Sequence, residues 1–152
     1  MSIKVVATNR KAQHDYEFHD TFEAGLALQG SEIKSIRAGR VSLQEGFVLF
    51  EGGEAWLMNV HIAQYDPASR HNHEPKRRRK LLLHRREIER LRSRAQEKGF
   101  TVIPTRLYLK DGRAKIEIAL AKGKRLYDKR EAIAKRETKR QVERAIKEHE
   151  RE

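Results

Sequence analysis

The chain has 152 residues, 38% of them apolar and 37% charged, with a formal net charge of +12 and no cysteine. That size supports one domain with a modest core, and the missing thiols exclude a disulfide framework, a thiolate nucleophile and a cysteine-bound metal. No apolar run approaches a membrane span, and the first residues, MSIKVVATNRKA, lack the apolar stretch and cleavage site of a signal peptide, so the chain reads as cytosolic.

In chain order, the residues after Tyr16 alternate as a strand does. The stretch from Phe22 to Gly30 reads as a short helix closed by glycine, and SEIKSIRAG alternates again. Phe47 to Val60 is two apolar runs around Gly52-Gly53, which predicts a hairpin. Gln64 to Pro75 is rich in turn formers and reads as a mobile loop. From Leu81 to Gly99 the spacing of Leu81, Ile88, Leu91 and Ala95 predicts one helix with an apolar face. A second hairpin is expected around Asp111-Gly112, where the pair suits the positive φ of a tight turn. Short strands with a helix between two hairpins predict a mainly β domain, a small closed β-barrel with flanking helices. The oligonucleotide/oligosaccharide-binding (OB) fold is one candidate.

The last stretch is different. Asp128 and Glu131 have capping-box spacing, and Glu131/Lys135 and Glu143/Lys147 are favourable i,i+4 pairs. Ile133, Val142, Ala145 and Ile146 are too sparse to bury a face. The expected organisation is a domain over residues 1–123 and a basic tail over 124–152. That tail is expected to be disordered when free and helical against an anion-lined surface.

Positive charge is concentrated. Residues 1–75 hold 7 Lys/Arg against 10 Asp/Glu, whereas residues 76–94 hold 10 against 2 and residues 124–152 hold 11 against 7. A polyanion partner supplies a reason for this, since each neutralised phosphate releases counterions. The basic stretches lack the apolar and aromatic face of an interfacial helix, which places a membrane surface below nucleic acid. The run Lys76, Arg77, Arg78, Arg79, Lys80 reads either as a phosphate-binding patch or as a solvated charge run. The histidines, with His71 and His73 flanking Asn72, make no metal-ligand pattern with a cysteine or paired carboxylate. Ser31 lacks a nucleophile elbow, and no acid/base pair of carboxylates is recognisable. No cofactor and no enzymatic activity are expected.

The segments NRKAQHDY, FEAGLALQGSEIKSIRAGR, RRKLLLHRREIERL and LYLKDGRAKIEIALAKGKRLYDKR together resemble the small protein B (SmpB) family, in order and over nearly the whole chain from Asn9 to about Arg136. The resemblance implies an OB-fold barrel and a role in trans-translation, the rescue of stalled ribosomes. Its partners would be transfer-messenger RNA (SsrA RNA), the small ribosomal subunit and, through the RNA, elongation factor Tu with GTP. The protein is expected to act as a monomer.

By the same resemblance, Asn9, His14, Glu23, Leu82 and Lys115 are expected to meet the tRNA-like domain of that RNA. Each has a plainer reading too. Asn9 suits a local backbone cap, His14 a polar surface histidine, Glu23 the start of the short helix, Leu82 a core position and Lys115 a solvated strand lysine. Tyr127, Asp128, Lys129, Arg130, Lys135, Arg136, Lys139 and Arg140 are expected to engage the decoding centre and the empty messenger-RNA channel. The competing class is a general single-strand-binding OB protein. It calls for aromatic stacking platforms, and few of the aromatics lie within basic stretches.

Overall fold

The computed structural model describes residues 2–65, 72–97 and 99–124. Nine strands and three helices form in these residues: β1 (Ile3–Thr8), α1 (Arg10–Asp15), β2 (Tyr16–Leu26), α2 (Gly30–Arg37), β3 (Val41–Ser42), β4 (Phe47–Glu51), β5 (Glu54–Met58), β6 (His61–Ile62), β7 (Arg79–Leu82), α3 (Arg85–Ala95), β8 (Phe100–Lys110) and β9 (Arg113–Gly123). Seven strands join in one antiparallel sheet ordered β1-β8-β9-β2-β7-β5-β4, and β3 pairs with β6 separately.

The mainly β architecture agrees with the sequence expectation, but closure of the barrel does not follow from the pairing. Among the described residues no ladder joins the edge strands β1 and β4, although β4 lies against β8. The tail from residue 125 onward, with Tyr127 through Arg140, lies outside the described residues.

Both predicted hairpins form. Gly52 and Gly53 have φ of 61° and 76°, and Asp111 and Gly112 have φ of 50° and 81°. Two successive positive-φ residues match the right-handed strand twist, which is why such dipeptides close two-residue hairpins. β8 and β9 each run 11 residues and supply Val102, Leu107, Ile116, Ile118 and Leu120 to the core, where Ile36, Leu57, Leu81 and Leu91 join them. Pro104 has no N–H to give to a ladder, and the β8–β9 register shifts between Pro104 and Arg106.

Three expectations are corrected. Phe22 to Gly30 is not a helix: β2 continues to Leu26, paired residue by residue with β9, so long-range pairing overrides the helix-forming residues of AGLAL. The next segment is α2 and not a strand, because Ile33 and Ile36 are three apart, a helical spacing mistaken for alternation. The predicted long helix splits, since Leu81 belongs to β7 and α3 starts only at Arg85. Strand alternation accordingly turns Leu81 inward, 1% exposed, and Leu82 outward, 54% exposed.

Candidate nucleic-acid interface

The outward face where β7, β2, β9 and β8 lie side by side collects three of the five expected contacts. Gly25 on β2 is registered with Leu82 on one side and Lys115 on the other, and Lys115 faces Tyr108 on β8. Glu23, two residues along β2, lies opposite Glu117, so it shares the face with Gly25. Glycine gives close packing at the centre: a Cβ on Gly25 would stand 3.2 Å from Leu82 Cβ, so any larger residue would press Leu82 aside. Beside this line a cleft of about 430 Å³ is floored by Leu26, Ile33 and Leu82 and rimmed by Arg37, Arg113 and Lys115. None of these three cations forms an ion pair among the described residues. An apolar floor with unpaired cations at the rim suits a base or ribose below and phosphates above.

Glu23 is positioned rather than loose. The Tyr108 hydroxyl donates to Glu23 Oε2 at 2.5 Å, and Lys110 Nζ lies 3.4 Å from Oε1. The Tyr108 hydrogen bond holds the carboxyl below its ordinary pKa against a smaller opposing effect of burial, with Lys110 and Lys115 adding to the lowering. Burial and the ionised Glu23 beside it push the Tyr108 phenol up, so it stays a donor. Glu23 thus presents its remaining acceptor capacity outward, next to Lys115. With Glu23 inside a strand, its plainer reading as a helix-start residue is excluded. Tyr108, Lys110, Arg37 and Arg113 were missed in the sequence. The register of the Asp111-Gly112 hairpin was the available signal for three of them, because it sets Lys110 opposite Arg113 and Tyr108 opposite Lys115.

The other two expected contacts lie elsewhere. Asn9 is buried, its Oδ1 accepting from the Ala12 N–H at 3.1 Å and its Nδ2 donating to the carbonyls of Leu43 and Pro104 at 3.2 and 2.9 Å. It is the N-cap of α1 and a tie between loops, the backbone cap that was its plainer reading. His14 is exposed on α1, 3.0 Å from Asp15. It adjoins Tyr16, which pairs with Gly123 at the far end of β9. Eight strand residues, or about 27 Å, separate that end from Lys115.

The run Lys76 to Lys80 is not one patch. Entry into β7 sends alternate side chains to opposite sides. Arg79 is fully buried, its Nε donating to Glu32 Oε2 at 2.6 Å and its two terminal nitrogens to the carbonyls of Val60 and Pro75 at 2.6 and 3.0 Å. Arg77 also bonds Glu32 and is half-buried. Arg78 and Lys80 turn outward toward Glu51 and Glu54, and Lys76 is exposed. Arg79 and Arg77 therefore leave the phosphate-binding patch. They fasten α2, through Glu32, to the strand that carries Leu82.

The histidines separate in the same way. His73 is buried, with Nδ1 2.8 Å from Ser31 Oγ and Nε2 2.8 Å from the Ile62 carbonyl. The carbonyl can only accept, so Nε2 carries a proton, and in the neutral ring Nδ1 accepts from the Ser31 hydroxyl. His73 is a clasp between α2 and β6. Among the described residues no group of three His, Cys, Asp or Glu side chains is placed to hold a metal. No helix there is long and apolar enough to cross a membrane.

The family model described as SmpB protein matches residues 6–148. The chain belongs to the SmpB family. Its relatives include the SsrA-binding protein of Roseiflexus sp. (strain RS-1), 60% identical over 146 residues that make up 95% of this chain and 92% of the relative. Another is the SsrA-binding protein of Carboxydothermus hydrogenoformans, 55% identical over 95% of this chain and 97% of the relative. Among solved structures, a chain from "tmRNA-SmpB: a journey to the center of the bacterial ribosome" superimposes with a TM-score of 0.68 at 47% identity. That match covers 78% of this chain and 83% of the other. The match to the SmpB family takes in the described domain from Val6 onward and the segments that resemble the family.

Proposed function

We propose that this SmpB-family protein is an RNA-binding protein of trans-translation. It binds the tRNA-like domain of transfer-messenger RNA and brings that RNA to the vacant decoding site of stalled ribosomes. The observation that carries the reading is the meeting of Glu23, Leu82 and Lys115 on one outward face, beside a cleft rimmed by Arg37 and Arg113, which form no ion pair among the described residues. The names SsrA-binding protein and tmRNA-SmpB, carried by relatives at 47–60% identity, support it.

In this reading the curled sheet works as an OB-like barrel, with β4 resting on β8 where a fully closed barrel would have a ladder. The protein binds and delivers without catalysing a reaction of its own, and it acts as a monomer. Elongation factor Tu with GTP joins through the RNA. Tyr127, Asp128, Lys129, Arg130, Lys135, Arg136, Lys139 and Arg140 enter the empty messenger-RNA channel, an aromatic stacking on a ribosomal base while the cations meet phosphate.

Truncation after Leu126 tests the division of labour. The shortened chain is expected to keep its thermal transition and its affinity for a transcribed tRNA-like domain, and to lose peptide transfer on ribosomes with an empty messenger channel. Full peptide transfer by the shortened chain would remove the tail from the mechanism. Failure of the intact chain to bind the tRNA-like RNA would overturn the proposal as a whole.

A further inference from the structure

The chain has a single tryptophan, and the fold places it across from the basic run. Trp56 on β5 is registered with Leu49 on β4 and Lys80 on β7, while Phe47 is registered with Met58. Registered residues share a face, so these side chains form one outward surface. It is incompletely covered: Phe47 and Leu49 are 40% and 38% exposed. The Arg78 guanidinium lies over the Trp56 ring, 4.1 Å from its centroid, and the indole N–H is fixed by a 3.3 Å bond to the Glu51 carbonyl.

We propose that this face is a stacking platform for an unpaired RNA nucleotide, continuing the Leu82 and Lys115 surface across β7. The inference rests on the RNA-binding function proposed above. Continuity is the first argument. Leu82 is two residues beyond Lys80 on the same side of β7, about 7 Å along the strand. Chemistry is the second. Aromatic rings and guanidinium planes are what splayed-out bases stack on, and an arginine held flat on tryptophan presents such a plane with a positive charge in it.

The electrostatics also permit exchange. Arg78 and Lys80 are matched by Glu51 at 3.1 Å and Glu54 at 3.5 Å, and all four side chains are 40–61% exposed. Pairs this wet are weak and screened by salt, so a phosphate can replace either carboxylate. A base then lies on the solvent side of Arg78, with Leu49 and Phe47 beside it as apolar floor for the ribose.

The surface arises only through pairing. Trp56 is 22 residues from Arg78 in the chain, so no basic-aromatic motif marks it, and the shortage of aromatics in basic stretches argued against such a platform.

Because Trp56 is the one tryptophan, its emission reads this site directly. Full-length protein is titrated with a transcribed tRNA-like domain RNA, affinity being measured in parallel by filter retention. Quenching is expected to follow the binding curve. Arg78→Ala and Trp56→Leu are each expected to weaken binding by about tenfold, within the range measured for base–aromatic stacking. Trp56→Phe stays within about threefold of wild type, and an unstructured adenosine hexanucleotide quenches the emission on its own. RNA that binds by filter retention while the emission stays unmoved would overturn the platform and leave the proposed function intact. Absence of any binding by wild type would overturn both. Should Trp56→Leu fail to fold, Arg78→Ala carries the test from the surface, and wild-type affinity in that variant overturns the platform. A dimer in sedimentation that Leu49→Glu dissociates would assign the face to a second copy of this chain and overturn it as well.

Discussion

Two regions of the molecule are built around a glutamate held by hydrogen-bond donors, and they behave oppositely. At the α2–β7 junction Glu32 is wholly buried between Arg79, Arg77 and the Gln29 N–H, which is 2.8 Å from Oε1. On the β2–β9–β8 face Glu23 is held by Tyr108 and Lys110 and remains open to solvent. The partner chemistry is similar, and burial decides the role. Charges out of water must be matched fully, so the first cluster sets structure. The second keeps acceptor capacity to spare, so it can meet a ligand.

Breaking the buried cluster gives the largest expected effect. Arg79→Ala removes the fully buried guanidinium of the pair that holds Glu32 and strips the Val60 and Pro75 carbonyls of their donor, and the loss of a buried partner costs about 3–5 kcal/mol. That is a large part of the stability of a domain this size. Urea denaturation of the variant is expected to show a much earlier midpoint or no folded baseline. Arg79→Met combined with Glu32→Leu, which removes both charges and keeps volume, is expected to recover much of the loss. A single Arg79→Ala variant as stable as wild type would show that Arg77 and the Gln29 N–H suffice to hold Glu32 in the interior.

The same contrast predicts acid sensitivity. Burial pushes the Glu32 carboxyl up, but the hydrogen bonds from Arg77, the Gln29 N–H and Arg79 outweigh it and hold the group below its ordinary value of 4.5. A carboxyl depressed in the folded state contributes stability that is fully present above its unfolded pKa and lost as pH falls through the folded pKa. Denaturation midpoints are therefore expected to drop steadily as pH is lowered from about 5. Glu23 is depressed too, but it is exposed, so Glu23→Gln should keep most of this dependence. An unchanged midpoint between pH 5 and 3, on the order of two units of titration, would place the stabilising charge elsewhere.

On the open face the effect moves from stability to binding. Glu23→Ala and Lys115→Ala are expected to weaken affinity for the tRNA-like RNA by about tenfold, since a hydrogen bond to a charged group contributes about 1.5–3 kcal/mol. Their thermal transitions should stay close to wild type. Equal losses of folding and binding would return Glu23 to a structural role like that of Glu32.

How much of this was legible follows from where the information sits. The hairpins could be read because Gly52-Gly53 and Asp111-Gly112 are local devices whose backbone needs are written in the residues themselves. The fate of Phe22–Leu26 could not, because its conformation is settled by pairing with β9, distant in the chain; that of SEIKSIR was written locally, in the three-residue spacing of Ile33 and Ile36 and the Gln29/Glu32 capping box. The plainer reading of Leu82 as a core position fails because β7 alternation gives the core to Leu81 and turns Leu82 outward. The family resemblance carried Glu23, Leu82 and Lys115 to one face without geometry. It also carried Asn9, whose side chain is spent on backbone within the fold.

The smallest predicted effect separates neighbours in the basic run. Arg78→Gln and Lys76→Gln remove exposed cations, and each that meets a phosphate should reduce the magnitude of the log affinity against log salt slope by about 0.7–0.9. Neither should change the urea midpoint appreciably, because exposed ion pairs contribute about 0–1 kcal/mol. Arg79→Gln, one residue further on, should do the reverse: the slope stays where it was among whatever molecules still fold, and the midpoint falls. Filter-retention titrations at four or so salt concentrations, beside denaturation of the same preparations, make the comparison. Three variants sharing one slope would mean that the run acts as a uniform charge cloud, and the alternation imposed by β7 would have no part in binding.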